Sequence, residues 1–135
     1  MRLRVRAPSD VQAGQVFQAQ IELEADRGVR ELLFTVTFAK SRLALSGWEQ
    51  GDFAQRGGLP GETGAEEPSD GNVQVSFIVG GGRSIAGAGT IITLQLEARR
   101  PGVSSITVGD VYAIGSNGAA EPDVAILESG AVTIH

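Results

Sequence analysis

The side chains most often used in catalysis are almost absent from this sequence. Cysteine does not occur in its 135 residues, the only histidine is the terminal residue His135, and the only lysine is Lys40. Chain ends are usually poorly ordered, so His135 is a weak candidate for chemistry. Nucleophilic catalysis by a Ser–His or Cys–His pair, and metal binding through histidine, therefore have no candidate residues.

Carboxylates are the remaining candidates, because a pair of them can hydrolyse a glycosidic bond. Glu22 and Glu24 alternate with apolar residues, which places them on the polar, solvated face of a predicted strand. Asp52 lies close in sequence to Trp48 and Phe53. Apolar neighbours raise the pKa of a carboxyl group, so Asp52 is the one acid whose setting suggests acid catalysis.

Two further segments have the composition of ligand sites without the required context. Residues 80–89, GGGRSIAGAG, are glycine-rich, but a strand pattern follows where a phosphate loop needs a helix N-terminus. The acids Glu62, Glu66, Glu67 and Asp70 lack EF-hand spacing. We therefore predict no catalytic residue, no metal site, no cofactor and no enzymatic activity.

Composition narrows the class of protein further. The net charge of −5 argues against nucleic-acid binding, which favours a basic patch. No apolar run approaches the roughly 18–20 residues of a membrane span, so no membrane insertion is predicted. The length fits one domain over residues 1–135, and 41% of the residues are hydrophobic. The first residues do not have the apolar stretch of a signal peptide, so the protein is either cytosolic or a domain cut from a longer chain. Because the sequence starts directly in a strand pattern, we expect an excised domain.

Apolar residues recur with a period of two, which is typical of half-buried antiparallel strands. Strands are predicted at residues 2–7, 15–25, 30–38, 42–46, 72–79, 90–98, 104–108, 110–115, near 123–127 and at 131–135. The tripeptide DRG at 26–28 is interpreted as a turn, and residues 47–71 as a long surface loop. The segment near 123–127 is weak, and the resulting count of about nine strands in 135 residues predicts two packed antiparallel sheets.

One strand contains an exception to its own alternation. In residues 30–38, the apolar alternates that include Phe34 form the core face, and Thr35 and Thr37 suit the solvent face. Leu33 also points to the solvent face. A single exposed leucine is ordinary, and it becomes informative only if neighbouring strands make the same exception.

Several segments, taken in order, resemble the cohesin domain. They are VQAGQVFQAQIEL, GVRELLFTVTFAKSRLAL, GAGTIITLQLEARRPGVSSITV and the closing GAVTIH, and they cover nearly the whole chain. The segment WEQGDFAQRGG is closer to cohesin-like modules of bacterial secretin- and pilus-associated proteins than to those of scaffoldins. The resemblance implies an all-β fold, a nine-stranded flattened β-sandwich with jelly-roll topology, which some carbohydrate-binding modules share. It also implies an extracellular, cell-surface or periplasmic location.

The resemblance further implies that strands eight, three, six and five form the face that binds a dockerin, a small helical module that carries its own Ca²⁺. The strands at 30–38, 72–79 and 90–98 are taken as the third, fifth and sixth, which makes them neighbours. The predicted partner-binding residues are Leu33, Thr35, Thr37, Gln74, Ser76, Ile78, Ile91, Thr93 and Gln95. Each strand contributes one aliphatic residue among small uncharged ones, which suits a protein interface. The alternative is that Leu33, Ile78 and Ile91 lie at strand ends and are covered by loops.

Three functions follow from these features. The first is a non-catalytic protein-binding module whose partner is a dockerin or another subunit of a surface assembly. The second is a carbohydrate-binding module, which normally needs a row of exposed aromatic rings. The aromatic residues without core parity are Trp48, Phe53 and Tyr112, and they do not share one strand face. The third is a structural spacer within a secretion or adhesion protein.

Overall fold

Strands dominate the computed structural model, which describes residues 1–121, 124–128 and 130–135. The described residues form β1 (Arg2–Arg6), β2 (Asp10–Val11), β3 (Val16–Phe38), β4 (Leu43–Gln50), α1 (Phe53–Arg56), β5 (Gly61–Ser69), β6 (Asn72–Val79), β7 (Ile85–Ala98), β8 (Gly102–Gly115), β9 (Ala125–Glu128) and β10 (Gly130–Ile134). Within these ranges, no helix has the length and apolar character needed to cross a bilayer.

The long strand β3 takes part in two sheets. Its residues 16–25 pair with β1 and β7, and its residues 29–38 pair with β6 and β8. The first sheet therefore has the order β2-β10-β8-β3-β6-β5, and the second sheet has the order β9-β1-β3-β7-β4. The predicted all-β sandwich is confirmed, and the order eight-three-six-five occurs in the first sheet under the structure's own numbering.

The core lies between the sheets and is built from the apolar alternates of facing strands. Four strands bury the side chains that their period-two patterns predict: Phe17, Ala19, Ile21, Leu23 and Ala25; Leu32, Phe34, Val36 and Phe38; Val73, Val75, Phe77 and Val79; Ile92, Leu94, Leu96 and Ala98. The short helix α1 adds Phe53, whose ring packs edge-on against Phe77 with centroids 5.6 Å apart. The buried side chains form one continuous core between the two sheets.

The predicted turn at residues 26–28 is wrong, because β3 continues through it. The pairing of β3 with β7 shifts register between Ala25 and Val29, at the point where the chain passes from one sheet to the other. A Cβ on Gly28 would lie 2.2 Å from the Ser84 Oγ, so glycine is needed here for close packing. The tripeptide DRG therefore marks a change of sheet and not a reversal of the chain.

The predicted loop at 47–71 is also wrong. It contains the end of β4, the single turn α1 and the whole of β5. Strand β5 pairs only with β6, so it is an edge strand, where glycine, proline and charged residues are tolerated. Its register shifts between Glu66 and Ser69, next to Pro68, which cannot donate a ladder hydrogen bond.

Strand β8 joins the two strands predicted at 104–108 and 110–115. Asp110 has a φ of 51°, and the pairing of β8 with β3 shifts register beside it. This bulge explains why alternation alone gives residues 110–115 no clear inward face. The predicted weak strand near 123–127 corresponds to β9, although Asp123 lies outside the described residues.

Candidate partner-binding face

Three exposed apolar side chains meet on the outer face of the first sheet. Leu33 on β3 lies directly opposite Tyr112 on β8 and Ser76 on β6. Ile78 is two residues along β6 from Ser76, which makes it a diagonal neighbour of Leu33. The exposed fractions are 42% for Leu33, 46% for Ile78 and 50% for Tyr112. We call these three residues the apolar patch.

Small uncharged side chains extend the face along the same strands. Thr35 lies opposite Gln74 on β6, and Thr37 lies opposite Asn72. The Thr37 hydroxyl donates a 3.4 Å hydrogen bond to the Asn72 side-chain oxygen. Six of the nine predicted binding residues thus share one face: Leu33, Thr35, Thr37, Gln74, Ser76 and Ile78.

The other three predicted residues, Ile91, Thr93 and Gln95, do not belong to this face. They lie on β7 in the second sheet, where Thr93 is opposite Gln20 and Gln95 is opposite Gln18. Their prediction depends on the strand count: with residues 47–71 as a loop, the strand at 90–98 is the sixth, but the presence of β5 makes it the seventh. Its outer face points away from the apolar patch, on the opposite side of the sandwich.

Ile91 is wrong for a second reason, because it is 1% exposed. The pairing of β3 with β7 aligns Ile21 with Ile92 but the next residue, Glu22, with Thr90. Ile91 is therefore the extra residue of a β-bulge, and a bulge turns a side chain that alternation assigns to solvent towards the core. The alternative that Ile91 is covered is correct, whereas Leu33 and Ile78 are exposed.

A groove of about 830 Å³ runs beside the apolar patch. Leu33 is one of the residues that line the groove. Small residues border the groove where Gly64 on β5 lies opposite Ser76 on β6. Trp48, 38% exposed on the edge strand β4, also lines the groove. Sequence reasoning misses Gly64 because it misses β5, although the two-residue spacing that puts Glu62 and Glu66 on one strand face with Gly64 is a weak signal.

Acidic side chains surround the patch. Glu62 on β5 and Glu31 on β3 lie on either side of Ile78, and Glu66 lies opposite Gln74. Asp110 lines the groove next to the β8 bulge. Across the described residues, no ion pair involves any of these four acids. This side of the sandwich therefore combines an apolar centre with uncompensated negative charge.

The outer face of the second sheet differs in both respects. Arg6 Nε lies 2.6 Å from Glu22 Oε1, and Arg2 lies 3.8 Å from Glu24, so acids and bases pair across β1 and β3. Its central positions carry polar residues such as Gln18 and Thr93. Paired charges and polar side chains are what a solvated face needs, so the first sheet is the better candidate for binding.

Asp52 anchors α1 to β7 and has no catalytic setting. Its Oδ1 accepts a 2.8 Å hydrogen bond from the Thr90 backbone N–H, and its Oδ2 accepts a 2.7 Å bond from Arg56 Nε. A Cβ on Gly51 would lie 2.0 Å from the Thr90 carbonyl oxygen, so this approach requires glycine. The Thr90 hydrogen bond, followed by Arg56, lowers the pKa of Asp52, which contradicts the raised pKa expected from its aromatic neighbours.

The lowered pKa of Asp52 predicts a pH-dependent loss of stability. A carboxyl group whose pKa is lower in the folded state stabilises the fold above its unfolded pKa, and the contribution disappears as the pH falls through the folded value. Asp52→Asn removes the charge while keeping an oxygen that can accept the Thr90 bond. We expect the melting temperature of the variant to lie below that of the wild type near neutral pH, with the gap closing below about pH 4. A gap that stays constant down to about pH 2 would contradict this account.

The aromatic side chains do not form a sugar-binding row. Phe53 is buried in the core, Tyr112 lies on the first sheet, and Trp48 lies on the edge strand of the second. Stacking of a sugar chain on a β-sandwich needs several exposed rings in one plane. Trp48 lines the groove beside the patch that contains Tyr112, so this side of the sandwich has two exposed rings and not a row, which counts against the carbohydrate-binding alternative.

No family model matches the sequence, and no curated protein matches it either. Solved structures do match. A cohesin module from a Clostridium perfringens family 33 glycoside hydrolase is 16% identical with a TM-score of 0.81, covering 98% of this chain and 95% of that one. A non-cellulosomal cohesin from Archaeoglobus fulgidus is 14% identical with a TM-score of 0.80, covering 100% and 92%.

The sixth cohesin of Acetivibrio cellulolyticus scaffoldin B, solved in complex with a Cel5 dockerin mutant, is 18% identical with a TM-score of 0.81, and the match covers 99% of this chain and 98% of that one. These similarities span the whole domain at low identity, so they identify the architecture. The chain has the β-sandwich fold of cohesin modules.

Proposed function

We propose that this domain is a non-catalytic protein-binding module that docks a dockerin, or a related subunit of a surface assembly, through the outer face formed by β8, β3, β6 and β5. The observation that carries the proposal is the apolar patch, in which the exposed Leu33 on β3 lies opposite Tyr112 on β8 and diagonal to Ile78 on β6. Adjoining exposed apolar residues on a domain that otherwise alternates polar and apolar side chains favour a protein interface.

Two solved relatives support the choice of partner. The scaffoldin B cohesin and a second cohesin, CaCohA2, were each solved in complex with a dockerin. The similarity lies in the fold. We therefore infer the partner of this chain from two things together, the analogy with these complexes and the apolar patch. A cohesin module within a glycoside hydrolase chain also fits a role as one domain, residues 1–135, of a longer exported protein. We place that protein outside the cell or in the periplasm.

The test is a binding screen against two classes of ligand. Calcium-loaded dockerin modules of several specificities are immobilised for interferometry, and insoluble and soluble polysaccharides are used in pull-down assays. We expect the domain to bind at least one dockerin and none of the polysaccharides. Binding of a polysaccharide alone would favour the carbohydrate-binding alternative, and binding of neither class would favour the spacer.

Chelation of divalent metal should not unfold the free domain. The described residues contain no group of three or more Asp, Glu, His or Cys side chains placed to hold a metal ion. A sandwich of this size buries enough apolar surface to fold without one. We expect the melting temperature to change by less than about 2 °C on adding EDTA. A larger fall would direct attention to Asp110, Asn117 and Asp123, of which Asp123 lies outside the described residues.

A further inference from the structure

We propose that the partner of the first sheet presents lysine or arginine side chains around an aliphatic anchor. This inference rests on the proposed function and specifies the chemistry of the ligand. We infer the aliphatic anchor of the partner from the apolar patch, because Leu33, Ile78 and Tyr112 form an exposed surface that an aliphatic side chain can contact. We infer the basic side chains of the partner from the negative charges that surround the patch.

The acids are placed to meet a partner that covers the patch. Glu62 and Glu31 lie on either side of Ile78 in one cross-strand row, and Glu66 lies two alternate positions further along β5, beyond Gly64. Asp110 lies on the opposite side of Leu33, next to the β8 bulge. A ligand resting on Leu33 and Ile78 would therefore face carboxylates on both flanks.

Within residues 1–121, 124–128 and 130–135, no ion pair joins these four carboxylates to a basic side chain. Among the described residues, none of the paired outer positions of β5, β6, β8 and the first-sheet part of β3 is lysine or arginine; Arg30, at the register shift between Val29 and Glu31, has its guanidinium beside Gly82 and Gly118. On the second sheet, by contrast, Glu22 and Glu24 are paired with arginines. Acids left unpaired around an apolar contact attract a cationic partner and oppose an acidic one, which is how charge gives an interface its specificity and its association rate.

The closing experiment separates this charge preference from dockerin binding. Two helical peptides of about 20 residues share the same leucine anchors, and one carries lysine and the other glutamate beside them. Each is titrated into the isotope-labelled domain while backbone amide chemical shifts are recorded. We expect the lysine peptide to bind at least about tenfold more tightly than the glutamate peptide, with shifts in β3, β5 and β6.

A matched pair of variants identifies the acids responsible. Glu62→Gln/Glu66→Gln removes two charges beside the patch, and Glu24→Gln/Glu49→Gln removes two from the outer face of the second sheet, so the net charge of the chain changes equally. Only the first variant should lose the preference for lysine. Equal binding of the two peptides, no binding of either, or equal effects of the two variants would each overturn the proposal.

The outcomes for the two proposals are distinguishable. A domain that prefers the lysine peptide but binds no dockerin keeps the charge preference and loses the proposed function. A dockerin whose affinity depends on Leu33 and is unchanged in Glu62→Gln/Glu66→Gln keeps the proposed function and overturns the charge preference.

Discussion

Phe34→Ala is expected to lower the free energy of unfolding by about 3–5 kcal/mol. Phe34 lies on the central strand β3, opposite Val75 of β6, and is 2% exposed. Removing a buried aromatic ring loses its transfer free energy and leaves a cavity that neighbouring strands close only in part. Since domains of this size are stable by about 5–15 kcal/mol, much of the stability would be lost.

The matched control is the preceding residue on the same strand. Leu33 points to the opposite side of β3 and is 42% exposed, so Leu33→Ala should change the free energy of unfolding by about 0.5 kcal/mol or less. Both values come from denaturant unfolding of the two variants. Similar losses of unfolding free energy in the two variants would mean that β3 does not have one buried and one exposed face. A larger loss for Leu33→Ala than for Phe34→Ala would mean that Leu33 is on the buried face.

Leu33→Asp is expected to separate binding from folding. The change should alter the free energy of unfolding by about 0.5 kcal/mol or less, because the side chain is exposed. It should weaken a complex through the first sheet by about 2 kcal/mol or more, which is roughly 30-fold in Kd, because a carboxylate would be buried without a partner. Ile78→Asp should behave in the same way.

The control for Leu33→Asp is an aliphatic residue exposed on the other sheet. Val16 is 53% exposed and lies opposite Glu97 of β7, so Val16→Asp adds the same charge far from the patch. It should leave the affinity unchanged. Loss of both stability and affinity in Leu33→Asp would assign Leu33 to the core. Equal losses of affinity in Leu33→Asp and Val16→Asp would attribute the effect to net charge.

Much of the fold could be predicted from hydrophobic alternation. Residues 15–25 and 72–79 bury the side chains that a period of two requires. Alternation works there because each strand has one face against the core, so a shift by one residue would expose the whole apolar set. Leu33 and Ile78 were assigned correctly to the outer face for the same reason.

Alternation fails where the ladder is irregular. Ile91 and Asp110 lie at bulges, and each bulge reverses the faces of the residues that follow it. The position of a bulge depends on the partner strand, which local sequence does not contain. Alternation across the Asp110 bulge therefore gives Tyr112 no definite face, although its side chain completes the apolar patch.

Edge strands are the other limit of sequence reasoning. Strand β5 contains Gly64, Pro68 and several acids, a composition that is unfavourable in a central strand. It forms because β6 offers it a partner, and its charged residues protect the open edge of the sheet. Missing this one strand displaced the later strand count and moved three predicted residues to the wrong sheet.

The location of the binding face is tested most directly by mapping backbone amide shifts of the labelled domain during titration with calcium-loaded dockerins from the screen. We expect shifts concentrated at residues 31–37, 62–66, 74–78 and 110–114, which form the outer face of the first sheet. Shifts concentrated instead at residues 2–6, 18–24 and 93–97, on the second sheet, would contradict the account, as would the absence of shifts with every dockerin.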